Sequence, residues 1–144
     1  MMDMIIRNAG AEDAARIAEI CSTSLGYECS EVFVRERLCR INSAREAVFT
    51  AVCDDVVVGF VHAEKYETLY FEPLVNILGI AVAVDHKHRG IGKQLMLAVE
   101  VWANEIGAAG IRLNSGGTRS DAHEFYRAIG FNDEKPQMRF LKKL

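Results

Sequence analysis

The sequence predicts an α+β protein with a mixed, mostly antiparallel central sheet flanked by helices. Three observations support this. The chain has 144 residues, half of them apolar, with two prolines and eleven glycines, so one core can bury roughly two-thirds of the unfolded surface. A strand–turn–strand pattern comes early, and strands alternate with helices later. No internal repeat or Pro- or Ser-rich linker interrupts these patterns, and we expect a single domain over residues 1–144.

The first half of the sequence predicts a strand, two helices and a hairpin. Apolar residues at 14, 17, 18 and 21 have the spacing of one helical face. Two β-rich runs flank the dipeptide Asp54-Asp55, which is typical of a tight turn. The predicted elements are a strand at 4–7, helices at 11–22 and about 31–41, and strands at 47–53 and 56–65. The second helix is expected to turn Val32, Val34, Leu38 and Ile41 inward.

The second half predicts strands that alternate with helices. Residues 75–84 are apolar at nearly every position, which is typical of a strand buried on both faces. A helix with an apolar stripe follows and ends at Gly107 and Gly110. The stripe consists of Ile91, Leu95, Ala98, Val99, Trp102 and Ile106. A short strand at 111–115, a helix from about 120 to 129 and a last strand at 138–141 complete the series.

The charge is unevenly distributed along the chain. The net charge is −3, but residues 1–72 carry −6 and residues 73–144 carry +3. No basic stripe of the kind that binds nucleic acid is present, so we expect no nucleic-acid partner. The asymmetry favours a protein that brings a polyanion to a positively charged or amine partner, with chance segregation of surface charge as the alternative.

The lengths of the apolar runs and the spacing of the cysteines disfavour membrane and metal functions. The longest nearly apolar run, residues 77–84, is far shorter than the roughly 20 residues that span a bilayer. No charged-then-apolar leader opens the sequence, and we expect a cytoplasmic protein with no membrane partner. The four cysteines form no C-x-x-C pair, so we predict no metal site. Cys21, Cys29, Cys39 and Cys53 are expected to be reduced and mostly buried, with one nucleophilic thiol as the alternative.

The turn at residues 85–93 carries the chemistry. It leads from a predicted strand onto the first turn of a long helix, where backbone N–H groups have no intrahelical partner. Gly90 and Gly92 allow close approach because they have no Cβ. The helix dipole and three cations, Lys87, Arg89 and Lys93, favour an anion there. The spacing matches neither the Rossmann nor the P-loop fingerprint, so the sequence predicts a phosphate or pyrophosphate site of another kind.

Two motifs resemble the GCN5-related N-acetyltransferase (GNAT) superfamily. In the first, a hydrophobic strand, here Ile80-Ala-Val82, leads to a Q/R-x-x-G-x-G/A loop, here Lys87-His-Arg-Gly90-Ile-Gly92. The second, A-x-x-(F/L)-Y-x-x-x-G-F, corresponds to Ala122-His-Glu-Phe125-Tyr126-Arg-Ala-Ile-Gly130-Phe131. Lys87 replaces the usual Gln or Arg, which keeps the charge but loses the bidentate fork. Arg119 stands where the family often has Asn.

The resemblance implies a sheet that is splayed at an acyl-CoA site. Acetyl-CoA would lie between the strand that ends near Val84 and the strand at 111–115, with pantetheine along residues 80–82 and the pyrophosphate on the amides of residues 88–93. No metal is implied. The implied cofactor-binding residues are Ile80, Ala81, Val82, Lys87, His88, Arg89, Gly90, Ile91, Gly92, Lys93, Arg119 and Tyr126.

The resemblance also implies two catalytic groups. The Val82 amide would lie near the thioester carbonyl, where a fixed N–H donor is worth about 3 kcal/mol in comparable enzymes. Tyr126 would be the general acid, because its reference pKa of about 10 keeps it protonated where a thiolate of pKa about 8.5 needs a proton. The alternative for Tyr126 is a structural role, in which its ring packs on one face of a helix and its hydroxyl is exposed to solvent.

The amine side has weaker signals. The segment from Glu64 to Glu72 interleaves acidic and aromatic residues, which favours cation binding. Alternation places His62 and Glu64 on one strand face, and Glu64 is our candidate base, acting directly or through water. The candidate acceptor-binding residues are Tyr27, Glu28, Glu64, Tyr66, Tyr70 and Glu72, and for each of them an ordinary surface role is the alternative.

Three functions remain open at this point. The first is acetylation of a primary amine of a small molecule by direct attack in a ternary complex. The second is acetylation of a protein or peptide amine, which would usually need an open groove. The third is a non-catalytic acyl-CoA-binding regulatory module, which would keep the loop without needing Tyr126. A homodimer is expected from the resemblance, with no interface indicated.

Overall fold

A computed structural model describes residues 3–144, which divide after Leu113 into two compact units. The first unit contains most of the elements. Its strands are β1 Met4–Asn8, β2 Glu46–Cys53, β3 Val56–Tyr66, β4 Leu74–Val82 and β5 Ile111–Leu113, and its helices are α1 Ala14–Ile20, α2 Glu31–Cys39 and α3 Ile91–Glu105. A 3-10 turn at Ala11–Asp13 precedes α1, and a π-helical turn at Cys21–Leu25 follows it. The expectation of one domain over residues 1–144 stays a prediction.

The first unit has one five-stranded sheet in the order β1-β2-β3-β4-β5. The pairs β1–β2, β2–β3 and β3–β4 are antiparallel, and the pair β4–β5 is parallel. Asp54 and Asp55 both have positive φ, at 50° and 65°, as a two-residue hairpin turn requires. The predicted fold class, a mixed and mostly antiparallel sheet with helices, is confirmed.

Helices pack on both faces of this sheet. Gly59 lies under α3, because a Cβ there would come within 3.2 Å of Leu95 and 3.1 Å of the Ala81 carbonyl. The next residue, Phe60, points to the other face and packs with Ile17 and Ile20 of the α1 side. The absence of a side chain at Gly59 therefore lets α3 approach the strand that neighbours β4.

The start of α1 is tied to β1 by a buried ion pair. Asp13 is 4% exposed and accepts two hydrogen bonds from the Arg7 guanidinium, at 2.8 and 2.9 Å, and one from the Gly10 amide at 2.8 Å. The hydrogen bond from Arg7 outweighs the effect of burial and lowers the pKa of Asp13 below its usual value. This carboxylate fixes the helix start on the sheet edge.

The second unit, Asn114–Leu144, contains the helix α4 Ser120–Ala128. Gly130, with φ of 105°, follows its end, as predicted. The strand predicted at 138–141 is wrong for the single chain, since residues 131–144 belong to no helix or strand. A strand requires a paired neighbour, and the described chain supplies none for this segment.

Three burial predictions also need correction. Val32 was expected inside, but its side chain is 61% exposed. The reason is that α2 packs on α1 rather than on the sheet. Of the four residues expected inside, Val34, Leu38 and Ile41 are half-buried. The strand β4 is buried mainly on one face, with Leu78 49% exposed. The cysteines are free as expected, but only Cys53 is buried.

Candidate active site

The sheet opens between β4 and β5. The two strands pair only where Val75–Ile77 faces Ile111–Leu113. On its other side, β4 stays paired with β3 as far as Val82, opposite Gly59. Among residues 3–144, the stretch Leu78–Val82 therefore has no strand on its β5 side. This open edge, Leu78–Val82, lies where the sequence predicted a splayed sheet.

The backbone hydrogen bonds fix which amides face the open edge. The Ala83 amide donates to the Val58 carbonyl, 2.8 Å away on the β3 side. Because successive amides alternate sides along a strand, those of Ile80 and Val82 point to the open edge. Leu78 has no partner in the register with β3, and this extra residue re-aims the strand at the point where it leaves β5.

Ser24 lies beside the same edge. Its hydroxyl donates to the Val82 carbonyl at 2.8 Å, and that carbonyl faces the same side as the Val82 amide. Ser24 belongs to the π-helical turn after α1, an irregularity that is frequent at functional sites. The sequence analysis missed Ser24, because it lies 58 residues from Val82 and no local pattern links them.

Beyond Val82 the chain forms a 3-10 turn at Val84–His86 and then enters α3. Gly90 precedes α3 with φ of 80° and ψ of 8°, a left-handed conformation that favours glycine, and no side chain caps the helix. The first helical hydrogen bond runs from the Gln94 amide to the Gly90 carbonyl at 3.1 Å. The amides before it, without an intrahelical acceptor, are those of Ile91, Gly92 and Lys93.

The surroundings of this helix start favour an anion. A Cβ added at Gly90 would meet no atom within 4 Å, so the residue that precedes α3 borders open space. Four basic or ionisable side chains around it are exposed: Lys87, His88, Arg89 and Lys93. The helix dipole acts in the same direction as these charges. The open strand edge and the helix start follow each other in the chain, so together they suit a ligand with an amide-bearing arm and a phosphate.

Glu64 lies in a polar network on the β3–β4–β5 surface. Its Oε2 accepts a hydrogen bond from Asn76 Nδ2 at 3.0 Å, and Asn76 Oδ1 accepts one from Arg112 at 2.6 Å. The Arg112 guanidinium stacks on the Tyr66 ring, 4.4 Å from its centre. The structure therefore brings Glu64 and Tyr66 together through two residues, Asn76 and Arg112, that the sequence analysis did not single out.

The register separates Glu64 from Val82. Glu64 faces Asn76 on β4, and Asn76 precedes Val82 by six residues, roughly 20 Å along a strand. Ile80 is two residues nearer, at roughly 13 Å. At these backbone separations the strand register favours the water-mediated route for Glu64 over the direct one.

A second carboxylate lies on the same surface. His62 Nε2 is 2.9 Å from Glu46 Oε1, and alternation along β3 places His62 on the face of Glu64. Burial raises the pKa of Glu46, but the hydrogen bonds from His62 and the Asn42 amide and the nearby charges outweigh it, so the pKa lies below its usual value. Glu46 is therefore ionised at neutral pH.

The other predicted acceptor residues fall into two groups. Tyr27 is 69% exposed and Glu28 is exposed, and both follow the turn that contains Ser24, at the Val82 end of β4. Tyr70 is 78% exposed and stacks on Phe71 at 4.7 Å. Tyr70 and the exposed Glu72 precede β4 at its Leu74 end, so the structure does not bring the two groups to one place.

Tyr126 lies on α4 in the second unit. The side chain is half-buried, with its ring 5.4 Å from that of Phe125 and 5.8 Å from that of Phe131. Burial raises the pKa of Tyr126 above its usual value of 10, against a smaller lowering by Arg119. Arg119 is exposed and immediately precedes α4. The Tyr126 hydroxyl is therefore protonated at neutral pH, as an acid requires.

The described residues offer neither a metal-binding cluster nor a membrane-spanning helix. Within residues 3–144, no group of three or more His, Cys, Asp or Glu side chains is placed to hold a metal ion. In the same part of the chain, no helix has the length and apolar character needed to cross a membrane.

The open edge of β4 beside the exposed start of α3 fits an acyl-CoA-dependent acetyltransferase, and the family comparison shows this class. Residues 14–131 match the sequence model of the acetyltransferase (GNAT) family, and the chain belongs to that family. The resemblance found in the two motifs is thereby confirmed.

One sequence relative is compatible with this family, and two solved structures share the fold. An aminoglycoside N(6')-acetyltransferase type 1 of Salmonella typhimurium is 28% identical over 101 residues, which cover 67% of this chain and 69% of the relative. The structure of AAC(6')-Iy in complex with a bisubstrate analogue, CoA-S-monomethyl-acetylneamine, superimposes with a TM-score of 0.83 at 20% identity, covering 99% of each chain. The 6'-N-acetyltransferase AAC(6')-Ih of Acinetobacter baumannii also gives 0.83, at 19% identity, covering 99% of each chain.

Proposed function

We propose that this protein transfers an acetyl group from acetyl-CoA to a primary amine of a small molecule, by direct attack in a ternary complex, in the cytoplasm. The observation that carries the proposal is the open edge of β4, whose Ile80 and Val82 amides lead to the exposed start of α3. The names of the relatives, aminoglycoside acetyltransferases, support a small-molecule amine as acceptor.

The residues present fit acetyl-CoA. The Ile80 and Val82 amides and the Ile80 carbonyl, which face the open edge, would pair with the pantetheine arm as a neighbouring strand does. The amides at the start of α3 would hold the pyrophosphate, with Lys87, Arg89 and Lys93 adding charge. His88, at φ of 63°, belongs to the same turn, and Arg119 in the second unit remains a predicted contact. Bound there, acetyl-CoA supplies a thioester carbonyl as electrophile and a thiolate as leaving group.

Backbone donors would stabilise the charge that develops on the thioester oxygen. The Val82 amide is the predicted donor, and the Ile80 amide points to the same side and lies nearer the closed end of the splay. A rigid strand holds both amides, so they need no reorganisation during the reaction. Removing one such donor costs about 3 kcal/mol in comparable enzymes. The Ser24 hydroxyl, bonded to the Val82 carbonyl, would fix the orientation of this part of the strand.

Tyr126 would donate the proton to the departing thiolate. Its raised pKa keeps the acid form present across the neutral range. A phenol above pKa 10 is a weaker acid than a thiol of about 8.5, so Tyr126 would donate its proton while the C–S bond breaks rather than to a fully formed thiolate.

The acidic surface would receive the amine. Glu64 and Glu46 offer negative charge on one strand face, and Glu46 is ionised at neutral pH. Because an alkylammonium must lose a proton before it attacks, Glu64 would accept that proton through bridging water. Tyr66, Tyr27, Glu28, Tyr70 and Glu72 remain predicted acceptor contacts.

Two of the four cysteines, Cys21 and Cys53, are poorly suited to an acetyl-cysteine intermediate, which favours direct attack. Burial, together with Cys29 beside it, raises the pKa of Cys21 to about 11. Burial also raises the pKa of Cys53. Both are therefore thiols at neutral pH, and the thiol is a poor nucleophile compared with the thiolate.

The test is thiol release from acetyl-CoA across a panel of small amines and lysine peptides. We expect turnover with a small amine, intersecting initial-velocity patterns and no acetylated enzyme by mass spectrometry. The Tyr126→Phe variant keeps the ring contacts and should lose turnover while its binding of acetyl-CoA is unchanged. Binding without turnover of any amine would favour the regulatory module, and turnover of peptides alone would favour a protein substrate.

A further inference from the structure

Two cysteines meet where the chain turns back after α1. The Cys21 amide donates to the Ala18 carbonyl near the end of α1. Cys29 lies eight residues further along the chain, and its thiol donates to the same carbonyl, with Sγ 3.8 Å from the oxygen. The two thiols also contact each other, and both side chains are half-buried. The Ala18 carbonyl therefore marks the point at which the two cysteines converge.

The segment between the two cysteines is a closed turn. The π-helical turn Cys21–Leu25 ends at Gly26, which has φ of 75° and reverses the chain. The amides of Gly26 and Tyr27 both donate to the Cys21 carbonyl, the second at 3.2 Å. The Ser22 hydroxyl donates to the Tyr27 carbonyl at 3.3 Å. These hydrogen bonds bring the chain back over the start of the turn.

This arrangement meets the first geometric requirement of a disulfide. Two cysteines can be bridged only if their side chains point toward each other rather than apart. Cys21 and Cys29 do so, since their thiols are in contact. The reduced pair also has no stabilised thiolate at Cys21, because burial and the neighbouring thiol raise the pKa of Cys21 to about 11. A stabilised thiolate is what makes a disulfide strongly oxidising, so oxidation here gives up no such stabilisation.

We propose that Cys21 and Cys29 form a reversible disulfide that closes residues 21–29 into a covalent loop. The oxidant is a low-molecular-weight disulfide such as glutathione disulfide. The thiolate of one cysteine attacks a sulfur of the oxidant, which forms a mixed disulfide and releases one glutathione. The thiolate of the other cysteine then attacks the protein sulfur of the mixed disulfide and releases the second glutathione. Two protein thiols and one glutathione disulfide thus give one protein disulfide and two glutathione thiols, which take up the two protons, and excess thiol reverses the exchange.

The covalent loop contains residues of the proposed site. The Ser24 hydroxyl donates to the Val82 carbonyl at 2.8 Å, at the end of the open edge of β4. Tyr27 and Glu28, two predicted acceptor contacts, lie in the same loop. Closing the loop restricts these residues, because a cross-link removes chain entropy. Oxidation would therefore fix one wall of the acceptor site; this consequence rests on the proposed function, whereas the disulfide does not.

The first test locates the bond in the full chain by mass spectrometry. Trypsin leaves both cysteines in one peptide, residues 17–35, because no Lys or Arg occurs from 17 to 34. The protein is treated with glutathione disulfide at about pH 8.5, where thiolates are more abundant, and free thiols are then blocked with iodoacetamide. We expect this peptide to be unblocked and about 2 Da lighter than its reduced form, and dithiothreitol to restore two thiols that can be blocked. Two blocked cysteines, or glutathione that stays attached to the peptide, would overturn the proposal.

Thermal unfolding tests whether the native fold accepts the bond. Closing a loop of this size should raise the melting temperature by about 5 °C or more. Cys29→Ser has no second thiol for the bond and should show no rise after oxidation. Cys39→Ser is the matched control, because Cys39 is exposed and lies outside the loop, and it should show the full rise. An equal rise in Cys29→Ser, or no rise in the wild type, would refute the disulfide.

Amide hydrogen exchange tests the effect on the segment. Oxidation should slow the exchange of the Ser24 and Leu25 amides at least about tenfold, and dithiothreitol should restore the original rates. The Ala83 amide, which donates to the Val58 carbonyl on β3, should keep its rate and serves as the internal control. Unchanged exchange of Ser24 and Leu25 in the oxidised protein would contradict the closed loop. None of these measurements uses acetyl transfer, so a failure of the proposed function would leave their outcomes unchanged.

Discussion

Replacing Gly90 by alanine separates backbone strain from ligand binding. Gly90 has φ of 80°, and a Cβ there meets no atom within 4 Å, so the free chain opposes alanine only through its backbone conformation. A left-handed residue with a Cβ costs roughly 1–2 kcal/mol. In a chain of this size we expect the melting temperature to fall by about 3–8 °C. The protein stays folded at 25 °C.

The effect on acetyl-CoA is expected to be larger. The new Cβ projects into the open space beside the start of α3, where we propose that the pyrophosphate binds. Hydrogen bonds to a charged group are worth about 1.5–3 kcal/mol each. Losing one of them lowers the affinity about 10- to 150-fold, at 1.4 kcal/mol for each factor of ten.

Gly107 provides the control. It has φ of 76°, also has no atom within 4 Å of an added Cβ, and follows the other end of α3. Gly107→Ala should therefore show a similar thermal shift with less than about a twofold change in affinity. Calorimetric titration with acetyl-CoA and thermal unfolding of both variants test this. Equal affinities for the two variants would refute the assignment of the pyrophosphate to the start of α3.

Three further predictions follow from the same geometry. Tyr126→Phe should lower kcat about 10²- to 10⁴-fold. Because burial raises the pKa of Tyr126, the pH–rate profile of the wild type should show no loss of rate from deprotonation of Tyr126 below pH 10. Glu64→Gln can still accept the hydrogen bond from Asn76 and should lower kcat/KM for the amine on the order of tenfold. The control Glu67→Gln should change kcat/KM less than about twofold. Equal effects of the two variants in steady-state assays would remove Glu64 from the site. Asp13→Asn should lower the free energy of unfolding by about 2 kcal/mol at pH 7, and because the folded pKa of Asp13 is depressed, this difference should shrink below about pH 4, as urea titrations at pH 7 and pH 3 would show.

Local patterns in the sequence were sufficient for most elements. The Asp54-Asp55 turn, the apolar stripe of α3 and the glycine after α4 each depend on neighbouring residues, and all three occur as predicted. The prediction of an anion site at this turn also rests on local features, namely Gly90 and the amides that follow it without an intrahelical acceptor.

The parts that sequence reasoning missed depend on distant residues. Ser24 meets Val82 across 58 positions, and the link from Glu64 through Asn76 to Arg112 exists only because the register aligns three strands. The extra residue at Leu78 sets which amides face the open edge, and no composition signal marks it. Val32 was misplaced because periodicity does not reveal what a helix packs against.

Amide hydrogen exchange, resolved by NMR on the full chain with and without acetyl-CoA, tests the open edge of β4 most directly. We predict that the Ala81 and Ala83 amides, which face β3, exchange slowly in both states. The Ile80 and Val82 amides should exchange fast in the free protein and become protected when acetyl-CoA binds. If the exchange rates of the Ile80 and Val82 amides stay unchanged while acetyl-CoA is bound, the account is contradicted.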